Sequence, residues 1–307
     1  MKDIQTDSYI FAAPKTDLPA ERRSRSYSIC LVTAVLFLLL CLSACGKETP
    51  PSENGASAYT VSFSDPALEE AVCKALGIDD RPITIKEAKK VKTLDLSYNT
   101  ELSDDENARG DIKDLTGLSC FEKLVELDLS HNKISDVSEL SNLRHLRILH
   151  LEGNEISDVE PLGSLKTLTL LDLEGNQVSN IYTLKDLTKL TVFDIRNNLV
   201  SDISVVSDMR DLEELYLRNN YITDITPLEN LRDVTYLSMG ENSIEEISSI
   251  QNMTKLTHLV ICANNITDIS VLSHFPNLVY LEIQGNQLRD YTPLRSLPKG
   301  CKVITHW

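Results

Sequence analysis

The chain of 307 residues carries 46 acidic against 30 basic residues, a formal net charge of −16 that argues against nucleic acid or anionic lipid as a partner held by charge. Its seven cysteines include no C-x-x-C pair, which removes the redox and zinc motifs built on that spacing. The length alone suggests about two domains, but a strict internal period, described below, overrides that expectation because a repeat array counts as one unit at any length.

The first segment has the form of an export leader. Arg22, Arg23 and Arg25 precede an apolar run from Ile29 to Leu42, which is shorter than the roughly 20 residues a membrane-spanning helix needs. The run ends in Leu42-Ser43-Ala44-Cys45, which resembles the lipobox of bacterial lipoprotein signal peptides. That resemblance implies cleavage before Cys45, a diacylglyceryl group on its sulfur, and removal of residues 1–44. An uncleaved signal anchor is the alternative. Either way the rest of the chain is expected outside the cytoplasmic membrane, and in the first reading it is held there as a lipoprotein through its lipid anchor alone. Without the leader, 25 bases and 42 acids remain. Residues 45–58 follow, rich in Pro, Ser, Glu and Gly and without apolar periodicity, and are expected to form a tether.

Residues 59–90 read as a helical cap. Asp65-Pro66 is a helix start, Leu68, Val72 and Ala75 are placed on its inner face, and Gly77 is its stop. Thr84 with Glu87 three residues on forms a capping box for a second, short helix. Cys73 and Cys120 are candidates for a disulfide near this cap.

From residue 91 to 292 one frame recurs. Val91-x-x-Leu94-x-Leu96-x-x-Asn99 is its first appearance, and eight copies with a period of 22 residues then end on Asn132, Asn154, Asn176, Asn198, Asn220, Asn242, Asn264 and Asn286. An insertion, Thr100 to Gly110, separates the first copy from the rest; its acids Glu101, Asp104, Asp105 and Glu106 read as a solvated loop, since the alternating ligands and fixed glycine of a calcium loop are missing. The frame is that of a leucine-rich repeat. The paired leucines, such as Leu127 and Leu129, have the two-residue period of a strand and face the core, while the asparagine satisfies backbone groups where the chain leaves the strand. Ser135-Asp136-Val137 and its copies, with proline at Pro161, Pro227 and Pro293, favour a compact turn or 3₁₀ segment. The expected fold is therefore a leucine-rich-repeat solenoid of the α/β repeat class, with nine parallel strands on the concave face, short 3₁₀ turns on the convex face and a helical N-terminal cap. Residues 293–307 form the C-terminal cap, with Val303-Ile304-Thr305 as a last edge strand and Trp307 shielding the open end.

The 22-residue frame with Asn-x-Ile-Ser-Asp-Val and the helical cap resembles the internalin-type leucine-rich repeats of bacterial surface proteins. The resemblance covers about Val61 to the end and implies a protein-binding concave face. It departs from the best-known members in lacking an immunoglobulin-like module after the repeats and a sortase-type sorting signal.

Specificity is expected at the outward strand positions. Ile148, Leu170 and Val192 fall side by side in successive coils, and Tyr216, Tyr236 and Tyr280 continue the strip, with Asp172, Glu174, Asp194, Arg196 and Arg218 as its charged rim. His258 shares the face, and Cys262 is expected to be exposed there. The alternative for the strip is that β-branched and aromatic residues simply suit strands. No catalytic, cofactor or metal site is assigned: His150 and His258 lie coils apart, Cys262 has no base beside it, and adjacent acids such as Asp172 and Asp194 lie on an open surface without a pocket. The reading is a monomeric surface protein binding a protein or peptide, with a carbohydrate or cell-wall binder and a purely structural protein as alternatives.

Overall fold

The computed structural model describes residues 59–79, 81–98 and 110–306. The leader, Cys45, the tether, Asn99, the acidic insertion at 100–109 and Trp307 lie outside the described residues.

Helix α1, Pro66–Leu76, begins where the Asp65 carboxylate accepts from the Ala67 N–H at 2.9 Å, with Pro66 at the first helical position, and ends at Gly77 with φ 64°. Asp65 also accepts from the Lys113 and Asp114 amides, so one carboxylate caps the helix and ties it to the coil that follows. Leu68 and Val72 are buried as expected, whereas Ala75 is exposed. Leu76 packs on the core in its place, because spacings of four keep Leu68, Val72 and Leu76 in one row along the helix. Helix α2, Ile85–Ala88, carries the reciprocal Thr84–Glu87 capping box, and Arg81 clamps the same carboxylate from outside. Cys73 and Cys120, candidates for a disulfide, form none.

Ten short strands follow: β1 Thr93–Asp95, β2 Glu126–Asp128, β3 Ile148–His150, β4 Leu170–Asp172, β5 Val192–Asp194, β6 Glu214–Tyr216, β7 Tyr236–Ser238, β8 His258–Val260, β9 Tyr280–Glu282 and β10 Lys302–Ile304. They form one parallel sheet in sequence order. Nine are the repeat strands and the tenth is the edge strand, starting one residue before Val303. The register is the repeat itself: Leu127, Leu149, Leu171, Phe193 and Leu215 pair in line. All five are fully buried.

Between strands the chain returns through 3₁₀ turns such as Ser138–Asn142 and Glu160–Ser164. The aspartate of the Ser-Asp-Val segment starts most of these turns. Asp136, Asp158, Asp202, Asp224, Asp268 and Asp290 each accept from the amide two residues on, at 2.7–2.8 Å, and Asn180 does the same at 2.9 Å.

Inside the coil the asparagines form a continuous ladder. Asn198 donates to the carbonyls of Leu173, Ile195 and Arg196, and its Oδ1 accepts from the Val178 N–H. The same pattern joins neighbouring coils up to Asn286, where Oδ1 accepts from the Ile266 N–H. The residue ahead of each asparagine is left-handed in every one of these eight coils: His131, Gly153, Gly175, Asn197, Asn219, Glu241, Ala263 and Gly285 all have φ between 48° and 71°. That turn aims each asparagine inward. Glycine and asparagine tolerate it well, while Ala263 at φ 48° is held there by the ladder on either side.

Candidate interaction surface

The strands leave three lanes of outward side chains running across the sheet, at the residue before the paired leucines, between them and after them. In the first lane Ile148, Leu170 and Val192 pair in register on β3, β4 and β5. All three are half-buried, so they form a continuous aliphatic strip with its outer side accessible.

From β6 onward the strip turns aromatic. Tyr216 and Tyr236 meet with ring centroids 4.8 Å apart, Tyr236 stacks on His258 at 5.3 Å, and His258 stacks on Tyr280 at 6.0 Å. His258 is thus the link that carries the strip from Tyr236 to Tyr280. A cation closes each end, the Arg196 guanidinium 5.1 Å from the Tyr216 centroid and the Lys302 ammonium 5.4 Å from that of Tyr280. The tyrosine hydroxyls are held too, Tyr216 donating to Glu214 at 2.7 Å and Tyr280 to Glu282 at 3.1 Å. Burial and then the neighbouring Glu282 carboxylate push Tyr280 up to about 12.

Beside the aliphatic strip lies a carboxylate cluster. Arg196, expected at the rim, sits within it and binds both Asp194 and Glu174 at 2.5 Å. Asp194 is itself buried, against the expectation of an exposed position. Glu152 accepts a hydrogen bond from His131 at 2.9 Å, which is the main reason its carboxyl falls to about 2. Asp172, between them, is pushed well above the ordinary carboxylate range by burial and then by the charges of Asp194 and Glu152, and it is hydrogen-bonded to Glu152. The carboxyl pair in contact therefore includes Glu152 with Asp172, held low and pushed high respectively, and not Asp172 with Asp194 alone. Arg218 binds Glu241 at 2.6 Å, away from this cluster.

Cys262, expected to be exposed, is fully buried. Gly240 in the preceding coil has no side chain, and the Cys262 sulfur fills that space: a Cβ on Gly240 would lie 2.7 Å from it. Burial and the Glu282 charge push the thiol up to about 12, so it stays protonated and unreactive at neutral pH. Ser238, Val260, Glu282 and Gln284, also outward positions, are buried as well. Sequence reasoning missed this because a lane position's exposure depends on the neighbours 22 residues before and after it.

A face of this kind belongs to the leucine-rich repeat class. A family model described as a leucine-rich repeat region matches residues 107–299, and the chain belongs to that family. Among solved structures it is similar to an internalin, InlF, from Listeria monocytogenes, with 26% identity over 80% of this chain and 76% of that one and a TM-score of 0.65. It is similar also to internalin C2 from the same organism, with 27% identity over 83% of this chain and 99% of that one and a TM-score of 0.57. The chain is a leucine-rich repeat protein of the internalin type. The ectodomain of the Arabidopsis thaliana receptor kinase GASSHO1/SCHENGEN3, solved in complex with Casparian strip integrity factor 2, shares the fold at 21% identity, over 73% of this chain and 28% of that one, with a TM-score of 0.61. A comparison with curated protein sequences finds no match. Among the described residues no helix is long and apolar enough to cross a membrane.

Proposed function

We propose that this chain is a lipid-anchored bacterial surface protein, monomeric and without catalytic activity, that captures a protein or peptide on the outward face of its sheet. The observation that carries this reading is the aliphatic row Ile148, Leu170 and Val192 together with the Tyr216–Tyr236–His258–Tyr280 ladder on the same face, which pack against no other element among the described residues. Apolar and aromatic surface placed on a rigid frame and rimmed by charge suits a polypeptide ligand. The plant receptor ectodomain with its bound factor supports the same use of this fold.

The stacking also weighs against the carbohydrate alternative. A sugar ring packs on the face of an aromatic side chain, and here the faces of Tyr236 and His258 are occupied by their neighbours across the strands, which turns ring edges outward.

The test is crosslinking of the chain from Gly46 onward to intact cells and identification of what is captured, on the same surface or on another cell. A saturable protein adduct competed by unlabelled protein is expected; capture of glycan alone, or no saturable adduct, would remove the reading. The anchor rests on Leu42-Ser43-Ala44-Cys45. Cys45→Ser is expected to abolish incorporation of labelled palmitate and to release the chain from the membrane fraction, and continued labelling of that variant would overturn lipidation at Cys45.

A further inference from the structure

The second and third lanes dip where they cross β7 and β8. Ser238, Gly240, Val260 and Cys262 line four adjacent outward positions with small side chains or none, between the long Tyr216 and Arg218 on β6 and Glu282 and Gln284 on β9. Three strand spacings separate the two walls, roughly 14 Å, room enough for a ligand side chain. One wall is built to accept hydrogen bonds. Glu282 is buried and is held by the Tyr280 hydroxyl and by Gln284 Nε2 at 2.5 Å, but no cation among the described residues pairs with it. Gln284 is 5% exposed and, among the described residues, its Oε1 is one of two buried side-chain oxygens without a hydrogen-bond partner. Arg218, on the other wall, is held by Glu241. A buried acceptor without a donor is costly, and a ligand that supplies the donor recovers that cost. The charge of the whole face points the same way: over the ten strands the three lanes hold nine acids against the bases Arg196, Arg218 and Lys302.

We propose that this dip is the subsite for a cationic side chain of the captured polypeptide, a lysine or an arginine whose N–H groups bind Gln284 Oε1 and the Glu282 carboxylate while its stem lies along the rings of Tyr236 and Tyr280. A donor-only group fits a site whose open valences are all acceptors. The proposal rests on the sheet-face reading above and names one feature of its ligand.

The experiment uses a random 12-residue peptide display library selected on the full chain. The expected result is a lysine or arginine at one aligned position of the recovered peptides. Replacing that residue by norleucine in a synthetic peptide weakens binding to the wild type by about tenfold or more. The same replacement has less than about twofold effect on Glu282→Gln combined with Gln284→Leu, while Gln284→Glu binds the lysine peptide at least as well as wild type. Unfolding temperatures of all variants serve as the control, since a merely structural role would lower them and leave the norleucine effect unchanged. Recovered peptides that lose binding on Leu170→Ser with Tyr216→Ser and Tyr236→Ser, yet carry no basic residue, overturn the subsite and leave the sheet-face reading standing. Peptides indifferent to that triple variant overturn both.

Discussion

Asn198→Leu tests how much of the fold rests on the ladder. Asn198 makes four hydrogen bonds, yet three of their partners have a second donor: Leu173 O also accepts from Asn176, Ile195 O from Asn220, and Arg196 O from the Gly175 amide. Only the Val178 N–H, which donates to Asn198 Oδ1 at 2.9 Å, is left buried without an acceptor. The cost is therefore that of one orphaned buried amide, about 2 kcal/mol, rather than of four separate bonds. For a folded body of this size that lowers the unfolding temperature by about 4–8 °C. Asn286→Leu removes the same kind of acceptor from Ile266 N–H, but Asn286 is half-buried and water reaches the vacated site, so its cost falls to about 1 kcal/mol or less. Urea unfolding followed by circular dichroism gives the two values, and amide exchange at Val178 reports the orphan directly. Asn198→Leu within about 0.5 kcal/mol of wild type, or Asn286→Leu costing as much as Asn198→Leu, would refute the reasoning.

Two further substitutions probe the sheet face. Asp172 holds its proton more tightly in the folded state than in the unfolded one, so its contribution to stability is full at low pH and is lost as pH rises through its raised folded value; Asp172→Asn, which keeps a donor toward Glu152, is expected to be more stable than wild type at about pH 8, with the difference shrinking toward about pH 4.5 in a series of thermal melts. Glu152, with its carboxyl near 2, contributes stability that is fully present above the ordinary glutamate value and is lost only as pH falls below it toward 2, outside this range, so it does not mask the trend. Gly240→Ala places a Cβ 2.7 Å from the Cys262 sulfur and 3.1 Å from its carbonyl oxygen, and is expected to cost about 1–3 kcal/mol. Adding Cys262→Ala should restore part of that loss, because the sulfur contact disappears and the carbonyl contact stays; a double variant no more stable than Gly240→Ala alone would show that the two residues do not compete for space.

How much of this was legible in the sequence follows from what each feature depends on. The leucines and asparagines could be read directly because each coil repeats them, and their positions alone require the strand, the turn and the ladder. The left-handed residue ahead of each asparagine was partly written in Gly153, Gly175, Gly285, Asn197 and Asn219. His131, Glu241 and Ala263 concealed it, since nothing local in those residues favours φ near 50°. The aspartates of the Ser-Asp-Val segment read as turn formers, but their role as acceptors for the amide two residues on needs the turn geometry.

On the candidate face the column Ile148, Leu170, Val192 was legible from the repeat, and its members do pair in register; at β6 that column holds Glu214, and Tyr216, one lane over, packs diagonally on Tyr236. What stayed hidden was how side chains meet between coils: the burial of Cys262 over Gly240, the stacking of His258 on both tyrosines beside it, and the hydrogen bond of Asp172 to Glu152. These depend on neighbours in adjacent coils, in register or on the diagonal, and on how far each side chain reaches across a spacing of roughly 5 Å.

The claim that the outward sheet face is the binding surface is tested most directly by the binding isotherm of the captured partner on Leu170→Ser combined with Tyr216→Ser and Tyr236→Ser. These side chains lie outside the buried leucine core, so the variant is expected to unfold cooperatively and to forfeit the ring stacking and the Tyr216 contacts to Glu214 and Arg196. Its saturable binding is expected to disappear. An isotherm unchanged from wild type, on a variant that remains folded, would place the partner elsewhere on the molecule and contradict the account.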